Sequence, residues 1–347
     1  MNAHFQIGPR RIGEGEPCFV IAEAGVNHNG DLALARQLID AAAEAAADAI
    51  KFQTFRADRL VSVSAPKAEY QITATGAAES QHAMLRRLEL DEAAHRDLQQ
   101  HAADRGIVFL STPFDEASAN LLAALRIPAF KVSSGELTNL PFLAHLARHR
   151  MPIILSTGMA TLDEVRSAVA ALGDVPLALL QCVSNYPADP ADTNLRAMLT
   201  MRAEFRVTVG YSDHTLGNEI AFAAVALGAS IVEKHLTLDR TLPGPDHAAS
   251  SEPAEFAALV RGIRRIESAL GDGIKRPAAN EANVASVARR SLVAARDIAP
   301  GEILSPAEIA ALRPAGGLPP SAQSKLLGRR ARAAIPAGTM FTLEMIE

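Results

Sequence analysis

Short aliphatic and β-branched runs alternate with longer Ala/Leu/Arg/Glu-rich runs along roughly the first 270 positions of the chain. A run of about four to six apolar residues has the length of a buried strand, and apolar residues recurring every three or four places have the period of a helix. Strands are predicted at Phe19–Glu23, Ala49–Gln53, Ile107–Ser111, Ala129–Val132, Pro152–Ser156, Leu177–Cys182, Arg206–Tyr211 and Ser230–His235. Helical spacing covers Leu32–Ala47, Met84–Asp104, Ala117–Leu125 and Leu216–Leu227, and Asp31, Asp115, Thr161 and Thr215 are placed to cap such runs. Regular strand–helix alternation builds a parallel sheet with helical crossovers. Eight such units predict a closed (β/α)8 TIM barrel rather than an open doubly wound sheet. No Gly-x-Gly-x-x-Gly follows the first strand, which argues against dinucleotide binding. Residues 54–80 interrupt the alternation between the second strand and its helix, and a connection that long is a candidate lid.

The pattern changes after Gly271. Residues 272–284 are polar and are expected to be a linker. An ungapped repeat follows, in which Ile298–Ile309 (IAPGEILSPAEI) matches Ile335–Ile346 (IPAGTMFTLEMI). Two copies of Ile, a Pro/Ala pair, Gly and an apolar pair suggest a small pseudo-two-fold domain of short strands and turns. The expected division is a catalytic barrel at 1–271 and a small domain at 285–347.

Composition narrows the class. Hydrophobic residues are 48% and charged residues 21% of 347, as in a folded globular protein, which excludes global disorder, collagen and a disulfide scaffold. No apolar run approaches the ~20 residues of a membrane span, and no apolar core follows the N-terminal arginines, so neither a membrane anchor nor a signal peptide is expected. Cys18 and Cys182 lie in apolar runs without metal-site spacing and are expected to be buried free thiols of a reducing cytoplasm. A net charge of −5 gives no footprint for nucleic acid. Residues 285–347 carry eight Lys/Arg against five Asp/Glu, so the tail is at +3 and the rest at −8, an asymmetry that suits docking on an acidic partner subunit.

A barrel carries its chemistry at the C-terminal ends of its strands. Polar residues gather there: Glu23; Lys51 and Gln53; Ser111 and Thr112; Lys131, Ser133 and Ser134; Ser156 and Thr157; Ser184 and Tyr186; Ser212, Asp213 and His214; Glu233 and His235. Side chains two apart share a strand face, so Lys51/Gln53, Ser212/His214 and Glu233/His235 can each enter the mouth together. His214 and His235, on neighbouring strands, can converge on one metal, with Glu233 able to orient a water. Two nitrogens with oxygen ligands suit Mn²⁺ or Mg²⁺, or zinc. Lys51 and Lys131, with the nearby hydroxyls and the Gly135 and Gly158 backbone, make a cradle for a small anion bearing phosphate and carboxylate. Alternatively, one lysine forms a Schiff base. His28 is placed in a loop at the same mouth, whereas His4, His82, His95, His101, His145 and His149 are expected to be solvated. Pro243–His247 is expected to be a rigid exposed turn that can hold Asp246 toward a polyol.

The segments IAEAGVNHNGD, IKFQTF, PKAEYQ, LSTPFD, KVSSGELTNLP, IILSTGMAT, GYSDHTLG, VEKHLTLD and GPDHAAS resemble the sialic acid (nonulosonic acid) synthases, from about residue 18 to the C-terminus. The tail RRSLVAARDIAPGEILSP…LRPAGG…LLGRRARAAIPAGT resembles their antifreeze-like (SAF) domain. The resemblance implies condensation of phosphoenolpyruvate (PEP) with N-acetylmannosamine or a close analogue, giving a nine-carbon α-keto acid and phosphate. N-acetylneuraminate synthesis is the leading expectation, and legionaminic acid synthesis from 2,4-diacetamido-2,4,6-trideoxymannose is the alternative. It also implies Mn²⁺ (or Mg²⁺ or Co²⁺) on His214 and His235. Lys51, Thr112, Lys131, Ser134, Ser156 and Ser212 are implied to hold PEP, and Ser184 is a further substrate-binding candidate. Glu23, Gln53, Tyr186 and Asp246 are implied at the sugar, and Glu233 at the water. Arg313, in LRPAGG, is implied to reach a partner's barrel near the N-acyl group, which makes a domain-swapped homodimer. Three positions depart from the pattern: Ser133 stands for proline, Gln181 for histidine, and Ala315-Gly316 for Gly-Asn, with Gln181 expected to touch phosphate or metal-bound water. Rival readings are a Schiff-base aldolase on Lys131 or Lys51 and a non-catalytic sugar- or ice-binding protein.

Overall fold

The structure, a computed structural model, describes residues 4–347, which fall into two compact units divided after Gly271. The first unit opens with an antiparallel hairpin, β1 (His4–Ile7) and β2 (Arg10–Gly13). Eight parallel strands then close into a barrel: β3 (Phe19–Gly25), β4 (Ala49–Thr54), β5 (Val108–Pro113), β6 (Phe130–Val132), β7 (Ile153–Ser156), β8 (Leu177–Cys182), β9 (Thr208–Asp213) and β10 (Ile231–His235), with β10 pairing back onto β3. The predicted strands are these eight, with ends shifted by at most two residues.

Period-two alternation sorts each strand into an outer face against the helices and an inner face toward the barrel axis. The outer set (Val20, Ala22, Ile50, Phe52, Phe130, Leu155, Leu179, Val209 and Val232) joins the helices in the large core. The inner set changes character along the strands. At the N-terminal ends it is apolar: Phe19, Ile21, Ala49, Leu110, Ala129, Ile154, Ala178, Leu180 and Ile231 form a second core. Phe5, Ile7 and Ile12 of the hairpin join it and stopper the barrel floor. At the C-terminal ends the inner set is polar, so the floor is dry and the mouth is chemical.

Asp31, Asp115 and Thr161 cap their helices through side-chain oxygens as expected. Thr215 does not: the helix Glu219–Ala226 starts after Asn218, and the Thr215 hydroxyl donates to Asp213 instead. The single helix expected over Met84–Asp104 is two, Gln81–Arg86 and Glu92–Asp104, because Asp91 caps a new start. The segment 54–80 is a structured strap with short helices at Ala57–Leu60 and Glu69–Thr75. It is tied internally by Lys67 Nζ, which donates to Thr75 Oγ1 at 2.8 Å, Gly76 O at 3.1 Å and Glu79 Oε1 at 3.2 Å.

The second unit runs over Asp272–Glu347 and holds β11 (Ser291–Ala294) against β12 (Ile309–Leu312). Residues 272–284, expected as linker, include a 3-10 turn at Ala279–Glu281 and the start of the helix Ala282–Ala288. The sequence repeat is structural: Ile298 and Ile335 pair antiparallel, donating to each other's carbonyls at 2.9 and 3.0 Å. Each copy turns through a glycine at φ +79°, Gly301 and Gly338, and ends in a 3-10 turn, Pro306–Glu308 and Leu343–Met345. Among the described residues no helix is long and apolar enough to cross a membrane.

Candidate active site

The inner positions at the strand ends surround a cavity of about 390 Å³. Glu23, Lys51, Gln53, Thr112, Lys131, Ser134, Ser156, Ser184, Tyr186, Ser212, His214, Glu233 and His235 all line it, so thirteen of the fifteen candidate site residues meet in one space. Asp246 is buried beside it, within electrostatic reach of Lys51, His214, Tyr70 and Tyr186. Arg313 lies exposed in the second unit after β12, at a cis bond to Pro314.

Four buried charges form the floor of the cavity. Lys51 Nζ lies 2.6 Å from Glu23 Oε2 and 3.9 Å from Glu233 Oε2, and donates to Thr112 Oγ1 at 3.1 Å. Lys131 Nζ donates to Ser156 Oγ at 2.7 Å and lies 3.4 Å from Glu233 Oε1. Ser212 Oγ donates to the same Glu233 oxygen at 3.1 Å. Their titration follows from burial weighed against neighbours. Burial alone raises a carboxyl, but the two ammonium groups outweigh it at Glu233, whose pKa is lowered, so Glu233 is a carboxylate. At Glu23 burial wins over Lys51, and the pKa rises to about 7. Burial lowers an amine; Glu23 and Glu233 overcome it at Lys51, which is raised, whereas Lys131 is lowered. Burial lifts Asp246 to about 6, against the pull of His214 and Lys51.

An anion fits above this floor. The Lys131–Ser156 pair faces the loop Ser133–Gly135, and the next loop brings Gly158 N within 2.9 Å of Ser134 Oγ as donor. A Cβ at Gly158 would come within 2.4 Å of Ser184 Oγ and 2.9 Å of Ser134 Oγ, so any side chain there displaces these hydroxyls.

The two histidines close the opposite side, with ring centroids 5.4 Å apart. His214 Nδ1 is held at 2.5 Å by the Val183 carbonyl, which leaves Nε2 as the ring's other nitrogen. His235 Nδ1 is buried with no hydrogen-bond partner. Burial, then the charge of His214 and the lysines, holds His235 well below the ordinary imidazole value, so it is the neutral form that a metal requires. No third His, Cys, Asp or Glu completes a metal cluster among the described residues. Burial lowers His214 as well, but Cys182 and the Val183 carbonyl outweigh it and its pKa is raised, so a divalent ion has to displace its proton; the pair offers two nitrogens, and the ion's other positions would fall to oxygen ligands.

Several expectations need correction. His82 and His95, expected in solvent, are buried; His95 Nε2 meets Thr54 Oγ1 at 2.7 Å and its Nδ1 meets the Asp91 carbonyl, anchoring a helix to the barrel wall. The Pro243–His247 turn is not exposed at its end, because Asp246 and His247 are buried and Thr237 Oγ1 hydrogen-bonds His247 Nδ1 at 2.7 Å. His28 is buried, with its ring against Phe52, and does not line the cavity. Gln181 faces the helices, donating to Thr193 O at 3.0 Å, and does not line the cavity where phosphate and metal are expected. Its neighbour Cys182 takes the inner position and is not merely a core thiol: it lines the cavity with Sγ 3.8 Å from His214 Nδ1. Tyr70, Gln81, Phe114 and Met159 also line the cavity and escaped the sequence reading. Phe114 and Met159 follow strand ends, a signal that was available. Tyr70 and Gln81 come from the strap and its sequel, which carry no period to place them. Tyr70 stacks on Tyr186 at 5.0 Å, and Tyr186 lies 4.1 Å from His214 and 5.4 Å from His235.

A TIM barrel with paired lysines and paired histidines in one mouth, followed by a small β domain, defines an enzyme-type site of buried charges, and comparison with known proteins gives its family. Residues 38–275 match the NeuB family and residues 289–347 match the SAF domain. The chain is 47% identical to the N,N'-diacetyllegionaminic acid synthase of Legionella pneumophila, over 98% of this chain and 97% of that one. It is 48% identical to the synthase of the same name from Campylobacter jejuni, over 89% and 94%. The crystal structure of an N-acetylneuraminic acid (sialic acid) synthetase from Leptospira borgpetersenii in complex with citrate superposes with a TM-score of 0.72 at 37% identity, covering 81% of this chain and 94% of that one. The chain belongs to the NeuB family of PEP-dependent nonulosonic acid synthases and carries a C-terminal SAF domain.

Proposed function

We propose that the protein is a legionaminic acid synthase, condensing PEP with 2,4-diacetamido-2,4,6-trideoxymannose and water to a nine-carbon α-keto acid and phosphate. The observation that carries the synthase chemistry is the convergence of Lys51, Lys131, Glu233, His214 and His235 on one cavity. The acceptor rests on the identities, 47% and 48% to two diacetyllegionaminic acid synthases against 37% to a sialic acid synthetase. N-acetylneuraminate synthesis from N-acetylmannosamine is the second reading.

Lys51, Lys131, Thr112, Ser134, Ser156 and Ser212 bind the phosphate and carboxylate of PEP, which turns its methylene carbon toward the histidines. His214 and His235 would hold Mn²⁺, with Mg²⁺ or Co²⁺ as substitutes, and such an ion supplies Lewis-acid polarisation of the open-chain aldehyde. Attack of the methylene carbon on the aldehyde carbon forms the new bond and leaves a cationic carbon at the former enol position. Glu23, poised near pH 7, holds a proton beside Lys51 that can pass to the new oxygen. Glu233, kept ionised by both lysines, orients and deprotonates the water that adds to the cationic carbon. The tetrahedral adduct then expels phosphate onto the lysines. Gln53, Ser184, Tyr186 and Asp246 position the acceptor, and Arg313 serves the N-acyl group in the barrel of a partner subunit.

The test is phosphate release from PEP and Mn²⁺ with N-acetylmannosamine, the 2,4-diacetamido-trideoxy sugar and its altrose-configured analogue. The diacetamido manno sugar is expected to lead in kcat/KM by about tenfold or more, equivalent to about 1.4 kcal/mol of transition-state binding. A lead by N-acetylmannosamine overturns the acceptor assignment, and no phosphate from any sugar overturns the synthase chemistry.

A further inference from the structure

Behind the two histidines, on the outer face of the same strands, lies a buried polar cluster that the reaction never touches. Asp213 and Lys234 sit directly opposite each other across β9 and β10. Alternation turns both away from the cavity, while their neighbours His214 and His235 line it. Lys234 Nζ donates to Asp213 Oδ2 at 2.6 Å and to Thr215 O at 2.7 Å. Asp213 Oδ1 in turn accepts from Thr215 N at 2.9 Å and from Thr215 Oγ1 at 2.7 Å. All three residues are buried. The backbone N–H and C=O of the residue after His214 are thus tied to the residue before His214 and to the residue before His235.

Closing the barrel does not require charges here, since an apolar pair of similar volume commonly serves a buried position as well or better. What the ion pair adds is geometric: it fixes the register and spacing of two strand ends at the point where two imidazoles leave them. A chelate tolerates ligand errors of only about 0.2 Å, and groups behind metal ligands govern affinity by about 10–100-fold. We propose that Asp213, Lys234 and Thr215 form a positioning clamp that sets the separation of His214 and His235 and thereby the affinity for the divalent ion. This rests on the assignment of those histidines as metal ligands.

A partly buried carboxylate clamp supplies the control. Asp48, at the opposite end of the barrel, accepts from Val20 N at 2.8 Å and pairs with Arg10 at 2.6 Å and Arg264 at 2.7 Å. It also ties a strand end through a carboxylate ion pair, with arginines 37% and 33% exposed in place of a buried lysine, and it is remote from the mouth.

The experiment is a Mn²⁺ titration of metal-stripped, full-length protein, with free Mn²⁺ read by electron paramagnetic resonance and urea unfolding measured alongside. Lys234→Met is expected to raise the Mn²⁺ Kd about tenfold or more, Lys234→Arg by no more than about threefold, and Asp48→Asn by less than about twofold despite a lower unfolding midpoint. Should Lys234→Met not fold, Thr215→Val, which deletes one hydrogen bond of the clamp, is expected to raise the Kd about threefold. An unchanged Kd in folded Lys234→Met or in Thr215→Val overturns the clamp, as does equal weakening by Asp48→Asn. Failure of the unaltered protein to bind Mn²⁺ overturns the metal assignment itself, and the clamp falls with it.

Discussion

Single side chains in this mouth are fixed by what stands two residues before them. Lys51 follows Ala49 and Glu233 follows Ile231, and in both cases the earlier residue fills the dry floor while the later one does chemistry; Ser212 follows Gly210, where a Cβ would meet Ile231 O at 2.4 Å. The loop glycine Gly158 leaves room for the Ser134 and Ser184 hydroxyls. Replacing it with alanine is expected to push the Ser134 and Ser184 hydroxyls off their places and to raise the KM for PEP about tenfold to a hundredfold while kcat falls less, as initial-rate kinetics will show. His28 and His247 give the acid side of stability. Burial depresses both to about 4 from an ordinary 6.5. In that interval the unfolded chain binds protons that the native chain does not, so stability is complete above about pH 6.5 and declines as pH falls toward 4. Urea midpoints of metal-free protein are expected to drop between pH 7 and pH 5. His28→Asn, whose amide oxygen can replace Nδ1 as acceptor for Gly30 N–H, is expected to show a shallower drop. An equal slope in the two proteins would refute the assignment.

Elements with a period were legible, and those without one were not. All eight barrel strands and the inward facing of Lys51, Gln53, Ser212, His214, Glu233 and His235 follow from a two-residue repeat, and the structure keeps them. The floor hairpin was missed because four-residue strands such as HFQI and RRIG are too short to show alternation above noise, and their burial comes from a barrel assembled elsewhere in the chain. His95 was misjudged although Ala94, Leu98 and Ala102 set it on the buried face of its helix, because the Thr54 hydroxyl on β4, which with the local Asp91 carbonyl makes that burial tolerable, is a tertiary partner. The strap was flagged by its length alone, which said nothing of Tyr70. With Tyr70 stacked on Tyr186, and Tyr186 on His214, removal of the outer ring loosens the wall at the acceptor side. An aromatic pair contributes about 0.5–1.5 kcal/mol, so Tyr70→Ala is expected to raise the acceptor KM about three- to tenfold and to leave the KM for PEP unchanged. A change confined to PEP would show that the strap guards the anion side instead.

At the scale of the whole molecule, the cationic tail and the exposed Arg313 raise the question of which barrel the SAF domain serves. The proposed domain-swapped homodimer answers that Arg313 acts in the partner's mouth, and mixing two inactive chains decides it. One chain carries Arg313→Ala with an intact barrel, and the other carries Lys131→Met with an intact Arg313. Neither forms a complete site with itself. If the arginine acts across the dimer, a hybrid pairs the first chain's barrel with the second chain's arginine and completes one site in two. Random pairing makes about half the dimers hybrids, so co-expressed chains are expected to recover about a quarter of the unaltered activity per site. If Arg313 serves its own barrel, every hybrid site lacks one group or the other and co-expression recovers nothing. Monomeric behaviour in sedimentation would remove the swap altogether, and activity that survives Arg313→Ala alone would remove the arginine's role while leaving the barrel's chemistry intact.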